Sequence, residues 1–177
     1  NIESANLQLD ILINNAGTSD PQRFKDLSEE SWNYVLETNL NGAFRVAKMA
    51  TDLMLKNKKG GSIINIASIL GQRVGLNLAS YATSKSALIQ LTKSMALELA
   101  RSNIRVNALA PGYILTEIND DFFATEEGQN YIKKIPMNRL GLEEDLDGAL
   151  LLLSSDASSF MTGSVINIDG GHLINPL

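Results

Sequence analysis

The chain has 177 residues and a mass of 19.2 kDa, which is enough for one domain with a buried core. Its 44% apolar and 20% charged residues are typical of a globular protein, and its net charge of −5, with no long apolar run, argues against nucleic-acid and membrane partners. The chain has no cysteine and a single histidine, His172, which excludes disulfides and thiolate chemistry and argues against multi-histidine metal sites.

Four short apolar runs predict buried β-strands at residues 9–14, 62–67, 104–110 and 164–169. Three longer segments with helical periodicity lie between them, at residues 28–57, 81–101 and 143–153. Strands and helices that alternate in this order predict an α/β fold with a parallel sheet.

The first predicted helix contains one polar residue where an apolar one is expected. Ser28 is a suitable N-cap, and Glu29 and Glu30 favour the first turn. Asn39 then falls within the apolar stripe of this helix, where a buried amide needs hydrogen-bond partners. Two interpretations stay open: the amide bridges neighbouring backbone, or it faces a functional site and holds a water.

Residues 116–139 follow no regular pattern and carry the aromatic residues Phe122, Phe123 and Tyr131. An irregular segment of this length in a compact domain is often a lid or a binding segment. An insertion with a helix packed on the surface is an equally good interpretation. If the segment is a lid, its acidic residues are expected to face the solvent.

Small and polar residues follow each predicted strand. The first strand is followed by Asn15-Ala16-Gly17, the second by Ser68, the third by Pro111-Gly112 and the fourth by Gly170-Gly171. Ligands of open α/β sheets bind outside the carboxyl ends of the strands. A single glycine pair is usually a turn, but the joint placement of these residues at one sheet edge predicts a ligand site.

Tyr81 and Lys85 are four residues apart in the second predicted helix, so their side chains share one face. A nearby ammonium favours the phenolate, so we expect Lys85 to lower the pKa of Tyr81 and make it a usable acid or base. The hydroxyl of Ser68 is expected to reach the same substrate oxygen. This spacing alone also fits a surface ion pair.

Together these motifs resemble those of the short-chain dehydrogenase/reductase family. Five motifs occur in the family's order over residues 10–171. They are NNAG after a strand, the asparagine of ETNLNG, a serine, YxxxK thirteen residues after that serine, and PG after a further strand. The resemblance implies a Rossmann-type parallel sheet flanked by helices. It also implies NAD(P)-dependent hydride transfer between a carbonyl and a secondary alcohol.

The resemblance assigns catalytic roles to Asn39, Ser68, Tyr81 and Lys85. Tyr81 would donate or accept the proton at the substrate oxygen, which Ser68 would polarise and hold. Lys85 would lower the pKa of Tyr81 and bind the nicotinamide ribose, and Asn39 would position a water that relays protons from Lys85. The implied cofactor-binding residues are Asn15, Ala16, Gly17, Tyr81, Lys85, Pro111, Gly112, Ile114 and Thr116.

One motif of the family is missing from this sequence. None of the 13 glycines forms the TGxxxGxG turn that holds the cofactor pyrophosphate in the family. We therefore expect residues 1–177 to be a single domain that contains about four strands and lacks the N-terminal dinucleotide-binding portion. The resemblance implies NAD or NADP as the cofactor. In the family, the preference between them is normally determined by residues after the second strand.

The sequence therefore predicts a cytoplasmic NAD(P)(H)-dependent dehydrogenase/reductase with a small-molecule carbonyl or alcohol substrate. The alternative is a catalytically incompetent fragment that acts only as a folding or oligomerisation module. Two substrate classes stay open. One is β-ketoacyl chains on acyl carrier protein, and the other is sugars, sugar acids or secondary alcohols. For the first class, a docking patch for the carrier protein would be formed by Lys56, Lys58 and Lys59.

The second predicted helix is apolar on most of its circumference, which favours burial on every side. Together with the habit of the family, this predicts a homo-oligomer, either a dimer or a homotetramer. The apolar residues of this helix are Ile89, Leu91, Met95, Ala96, Leu97 and Leu99.

Overall fold

The computed structural model describes residues 8–116 and 119–175. Four strands form one parallel sheet in the order in which they occur along the chain. They are β1 (Ile11–Asn14), β2 (Gly61–Ile66), β3 (Ile104–Pro111) and β4 (Val165–Ile168). The predicted α/β fold with a parallel sheet is confirmed, and each strand boundary lies within two residues of its prediction.

Six α-helices occur in the described part of the chain. They are α1 (Glu29–Leu36), α2 (Ala43–Asn57), α3 (Ala79–Leu99), α4 (Asp120–Ala124), α5 (Glu126–Ile132) and α6 (Asp147–Ser154). Ser28 caps α1 as predicted, because its Oγ accepts a hydrogen bond from the backbone N–H of Ser31 at 3.1 Å. None of these helices combines the length and the apolar character that crossing a bilayer requires.

The prediction of a helix over residues 28–57 is confirmed, because the backbone is helical without a break from Glu29 to Asn57. The geometry changes locally in its middle, where the segment Glu37–Gly42 forms a wide π-helical turn that joins α1 to α2. Asn39, Asn41 and Gly42 have low helix propensity, so widening the helix at this point is inexpensive. The turn places Asn39 in the interior, where its side chain is fully buried.

The helices cover both faces of the sheet. On one face, Met54 of α2 and Ala96 of α3 pack against Ile63 of β2 and Val106 of β3. On the other face, Leu153 of α6 packs against Ile64 and Leu109. Because neighbouring residues of a strand point to opposite faces, this layered core explains why the central strands are apolar almost throughout.

Residues 116–139 contain the short helices α4 and α5, which the sequence pattern did not locate. Phe123 is buried with Ile135 and Leu140 beneath the segment. Four of its acidic residues are exposed, namely Asp120, Asp121, Glu126 and Glu127, and Glu117 lies outside the described residues. The structure therefore agrees with the surface-packed interpretation of this segment and leaves the lid as a prediction.

Candidate active site

A cleft of about 330 Å³ opens at the carboxyl edge of the sheet, where the sequence predicts a ligand site. It brings together Ser68 and Tyr81 with Gly112 and Ile114, four of the residues predicted to serve catalysis or cofactor binding. Its other lining residues are Ser19, Ile69, Leu70, Leu78, Tyr113 and Asn119.

Ser68 and Tyr81 form the polar pair of this cleft. Ser68 follows β2, and its Oγ accepts a hydrogen bond from the backbone N–H of Leu70 at 3.1 Å. Tyr81 lies in the first turn of α3. Burial raises the pKa of Tyr81, and the Ser68 hydroxyl partly offsets this increase. A phenol with a raised pKa keeps its proton at neutral pH.

Lys85 lies one helical turn beyond Tyr81 and is only 4% exposed. Its Nζ is 5.7 Å from the centre of the Tyr81 ring and donates a hydrogen bond to the carbonyl oxygen of Ile66 at 2.8 Å. Burial lowers the pKa of Lys85 from 10.5 to about 8. The predicted juxtaposition of these two side chains is present.

The predicted effect of Lys85 on Tyr81 is absent from this structure. The pKa of Tyr81 is raised by burial rather than lowered, and the group that partly offsets this increase is the Ser68 hydroxyl. The Nζ of Lys85 is instead engaged by the carbonyl group of Ile66 at the end of β2.

Asn39 joins two parts of the site through its side-chain amide. Its Nδ2 donates to the carbonyl oxygen of Thr18 at 2.9 Å and to the Oγ of Ser84 at 3.0 Å, and its Oδ1 accepts from the N–H of Thr18 at 2.7 Å. The loop after β1 is thus fixed to α3. This arrangement agrees with the bridging interpretation of Asn39, and its role in holding a water stays a prediction.

Gly17 and Lys85 fit the nicotinamide-ribose end of a dinucleotide. A Cβ atom on Gly17 would be 3.4 Å from Nζ of Lys85, so glycine allows the backbone to lie close to the ammonium. An ammonium has three donors, and among the described residues only the carbonyl oxygen of Ile66 accepts a hydrogen bond from this one. Donors therefore remain for ribose hydroxyls.

The other predicted cofactor residues are less involved in the cleft. Asn15 and Ala16 are exposed in the loop after β1, and Pro111 is the last residue of β3. The backbone N–H of Thr116 donates to Oδ1 of Asn119 at 2.9 Å, so Thr116 is tied to a residue that lines the cleft. Its own contact with a cofactor stays a prediction.

Sequence reasoning missed Tyr113, which lines the cleft and carries an aromatic cluster. Its ring centre lies 5.7 Å from that of Phe123, 6.1 Å from Tyr131 and 5.5 Å from His172. Residues 116–139 thus reach the cleft through Tyr113. The position of Tyr113 directly after Pro111-Gly112 is the signal that would have identified it.

The proposed lysine patch lies at the opposite edge of the sheet. Lys58 terminates α2 and is followed by Gly61, the first residue of β2, whereas the cleft lies beyond the last residue, Ile66. Six residues of strand separate these two edges by roughly 20 Å. Lys56, Lys58 and Lys59 therefore do not surround the entrance of the cleft.

A family model described as "Enoyl-(Acyl carrier protein) reductase" matches residues 1–172. The 2-dehydro-3-deoxy-D-gluconate 5-dehydrogenase of Bacillus subtilis is 42% identical over 95% of this chain and 66% of its own length. The 3-oxoacyl-[acyl-carrier-protein] reductase FabG of Thermotoga maritima is 40% identical over 94% of this chain and 67% of its own length. The chain thus spans about two thirds of the length of these curated relatives.

Solved structures have the same fold. A gluconate 5-dehydrogenase from Burkholderia cenocepacia, in complex with NADP and tartrate, superposes with a TM-score of 0.92 at 34% identity and covers 97% of this chain and 67% of that chain. A short-chain type dehydrogenase/reductase from Mycobacterium marinum has a TM-score of 0.89 at 39% identity, with coverage of 97% and 67%.

Proposed function

We propose that this protein, which belongs to the short-chain dehydrogenase/reductase family, is an NAD(P)-dependent oxidoreductase that interconverts a carbonyl and a secondary alcohol. One observation carries the proposal: the hydroxyl-bearing side chains of Ser68 and Tyr81 line a single cleft, with the Lys85 ammonium 5.7 Å from the centre of the phenol ring. A proton donor, a second hydroxyl and a cation are the groups that carbonyl reduction requires.

In this proposal NAD(P)(H) supplies or accepts the hydride when it is bound. The Tyr81 phenol donates its proton to the substrate oxygen during reduction and accepts it during oxidation. The Ser68 hydroxyl donates a second hydrogen bond to the same oxygen and stabilises its developing charge. Lys85 binds the ribose hydroxyls, and Asn39 holds the loop that carries Gly17 beside Lys85.

Several solved relatives contain NADP, which supports NADP over NAD without deciding between them. For the substrate, we favour a sugar acid over an acyl chain on a carrier protein. The names of several relatives support this choice, and the lysine-rich end of α2 lies at the edge of the sheet away from the cleft.

Titration of NADPH and NADH by nicotinamide fluorescence, followed by assays on 2-dehydro-3-deoxy-D-gluconate and acetoacetyl thioesters, tests the proposal. We expect saturable binding of at least one nucleotide and turnover of at least one substrate. A protein that binds neither nucleotide and turns over neither substrate would match the alternative of a catalytically incompetent module.

We also propose that the protein is a homo-oligomer that pairs through α2 and α3. On α2, Phe44, Val46 and Met49 are exposed, and on α3 Leu97 is 82% exposed. Burying such a face against a second copy is favourable. Light scattering at micromolar concentration is expected to show a dimer or tetramer, and Met49→Glu together with Leu97→Glu is expected to shift it toward the monomer. A monodisperse wild-type monomer would contradict this prediction.

The segment that carries α4 and α5 is proposed to shape the substrate side of the cleft. Phe122 is partly exposed, and its ring lies 5.1 Å from Phe123, which packs on Tyr113. We expect Phe122→Ala to change KM between substrates several-fold and to leave the cofactor Kd within about twofold. Unchanged relative KM values would mean that the segment is surface packing only.

A further inference from the structure

Arg73 lies on the loop that joins Ser68 to Tyr81, and the site already described gives it no role. The residue is half-buried, and its Nη1 donates a hydrogen bond to the carbonyl oxygen of His172 at 2.7 Å. Among residues 8–116 and 119–175, no carboxylate lies within salt-bridge distance of its guanidinium. A guanidinium has five N–H donors, so most of them remain available for a ligand.

His172 provides a second, independent observation beside Arg73. It is only 7% exposed, and its Nδ1 is buried without a hydrogen-bond partner in the described part of the chain. A buried polar atom without a partner destabilises the fold, so this nitrogen favours a ligand group that can bond to it. In a neutral ring, Nδ1 bears a proton in one of the two tautomers and is then a donor.

The surroundings of His172 are cationic. Burial lowers the pKa of His172, and the charges of Arg73 and Lys134 lower it further, whereas Asp169 raises it. Both oxygens of Asp169 are already used, because they accept hydrogen bonds from the N–H groups of Gly171 and Leu173 at 2.9 Å and 2.7 Å. Two cations and a neutral imidazole thus adjoin one carboxylate that is engaged by the backbone.

Tyr113 connects this cationic cluster with the reacting groups. Its ring lies 5.5 Å from that of His172, and it lines the same cleft as Ser68 and Tyr81. Burial raises the pKa of Tyr113. The phenols of Tyr131 and Tyr81 raise it further, and the charge of Arg73 lowers it. Tyr113 thus links the cleft, which it lines together with Tyr81, to His172, whose carbonyl oxygen accepts the hydrogen bond of Arg73.

We propose that Arg73, assisted by Lys134 and the His172 ring, binds the carboxylate of an acid substrate whose reacting carbon lies at Ser68 and Tyr81. This inference rests on the proposed oxidoreductase function and adds the residues that select the substrate. A guanidinium fork binds a carboxylate in a bidentate manner, which fixes its orientation as well as its position. The lining of the cleft is uncharged, so it suits the middle of such a substrate. Arg73 and His172 lie beyond this lining, where the His172 ring adjoins Tyr113.

D-Gluconate and D-glucitol form a suitable pair of test substrates, because glucitol replaces the carboxylate by a hydroxymethyl group and keeps the other hydroxyls. Assays use the protein as it is expressed from its gene, with saturating NADP. For Arg73→Gln we expect kcat/KM for gluconate to fall roughly tenfold to a hundredfold, mainly through KM, and that for glucitol to stay within about twofold. Arg73→Lys keeps the charge but loses the fork, and it is expected to recover part of the loss.

Arg101→Gln is the matched control, because it removes an exposed arginine beyond the end of α3, outside the proposed cluster. We expect its kcat/KM for both compounds to match wild type. An equal loss of both activities in Arg73→Gln, or no loss of either, would overturn the carboxylate assignment, since the first outcome indicates a structural role and the second indicates no role.

Binding of gluconate measured by calorimetry separates this proposal from the oxidoreductase function, because it needs no turnover. Gluconate that binds wild type and is lost with Arg73→Gln supports the carboxylate site even where no hydride transfer is detected. If wild type binds no gluconate but reduces an uncharged ketone, the carboxylate site is wrong and the oxidoreductase function stands.

Discussion

Tyr81→Phe is expected to lower kcat by about 10²–10⁴-fold while the protein keeps its fold. The phenyl ring fills the same volume in the first turn of α3, so packing is retained. The hydroxyl that shares the cleft with Ser68, and that would exchange a proton with the substrate oxygen, is lost. The measurement is steady-state turnover together with the nucleotide Kd, which we expect to change by less than about threefold.

Tyr34→Phe is the matched control for this substitution. Tyr34 is an exposed tyrosine of α1 whose hydroxyl accepts a 3.4 Å hydrogen bond from Thr18. Tyr34→Phe removes a tyrosine hydroxyl that lies outside the cleft, so turnover is expected to stay near wild type. If Tyr81→Phe kept more than about a tenth of the wild-type kcat, Tyr81 would not be the proton donor.

The strands were predictable because their surroundings are uniform. Ile63 and Ile64 of β2 are both fully buried, one toward α2 and α3 and the other toward α6. A strand covered on both faces reads as a continuous apolar run, which sequence inspection detects directly. The same regularity predicted that the residues following the strands meet at one edge.

The π-helical turn within the first helix was less accessible to sequence analysis. The apolar stripe continues across residues 37–42 with helical spacing, so periodicity correctly predicts an unbroken helix but gives no sign of its local widening. The deciding contacts are the hydrogen bonds from Asn39 to Thr18 and Ser84, which are 21 and 45 residues away in the sequence. Contacts of this range leave only a weak local signal, here the low helix propensity of Asn39, Asn41 and Gly42.

The sign of the pKa change at Tyr81 shows a similar limit. Four-residue spacing correctly placed Lys85 on the same helix face, and a neighbouring cation lowers the pKa of a phenol. Spacing carries no information about burial, which is the dominant effect at Tyr81 in the folded protein. It also gives no warning that the carbonyl oxygen of Ile66 would accept a hydrogen bond from the ammonium.

Lys85→Met is the second substitution with a large expected effect. We expect kcat to fall by at least about 10²-fold and the nucleotide Kd to rise, because the ammonium is proposed to bind the ribose hydroxyls and so to position the nicotinamide beside the Tyr81 phenol. Lys93→Met removes an exposed lysine of the same helix and is the matched control, with turnover expected near wild type. Normal nucleotide affinity in Lys85→Met would contradict the ribose contact.

The same variant makes the buried charge of Lys85 measurable as a pH-dependent stability. The pKa of Lys85 is about 8 in the folded protein and 10.5 when it is unperturbed, so between these pH values the unfolded chain binds more protons. The free energy of unfolding of wild type is therefore expected to rise with pH across this window relative to Lys85→Met. The total rise is at most about 3–4 kcal/mol, since the pKa falls from 10.5 to about 8 and one unit of pKa corresponds to about 1.4 kcal/mol.

Urea unfolding of both proteins at several pH values from 7 to 10 measures this difference. The contributions of titratable groups that both proteins share cancel in the difference between their free energies of unfolding. The variant also loses the hydrogen bond to the carbonyl oxygen of Ile66, which shifts this difference but does not produce the predicted rise between pH 8 and pH 10.5. Below pH 8 the ammonium is charged in both states, so its burial destabilises the fold fully and the difference is expected to be flat there. A difference that stays constant up to pH 10 would show that Lys85 titrates at its ordinary value, and that its ammonium is not held in a desolvated position beside Tyr81.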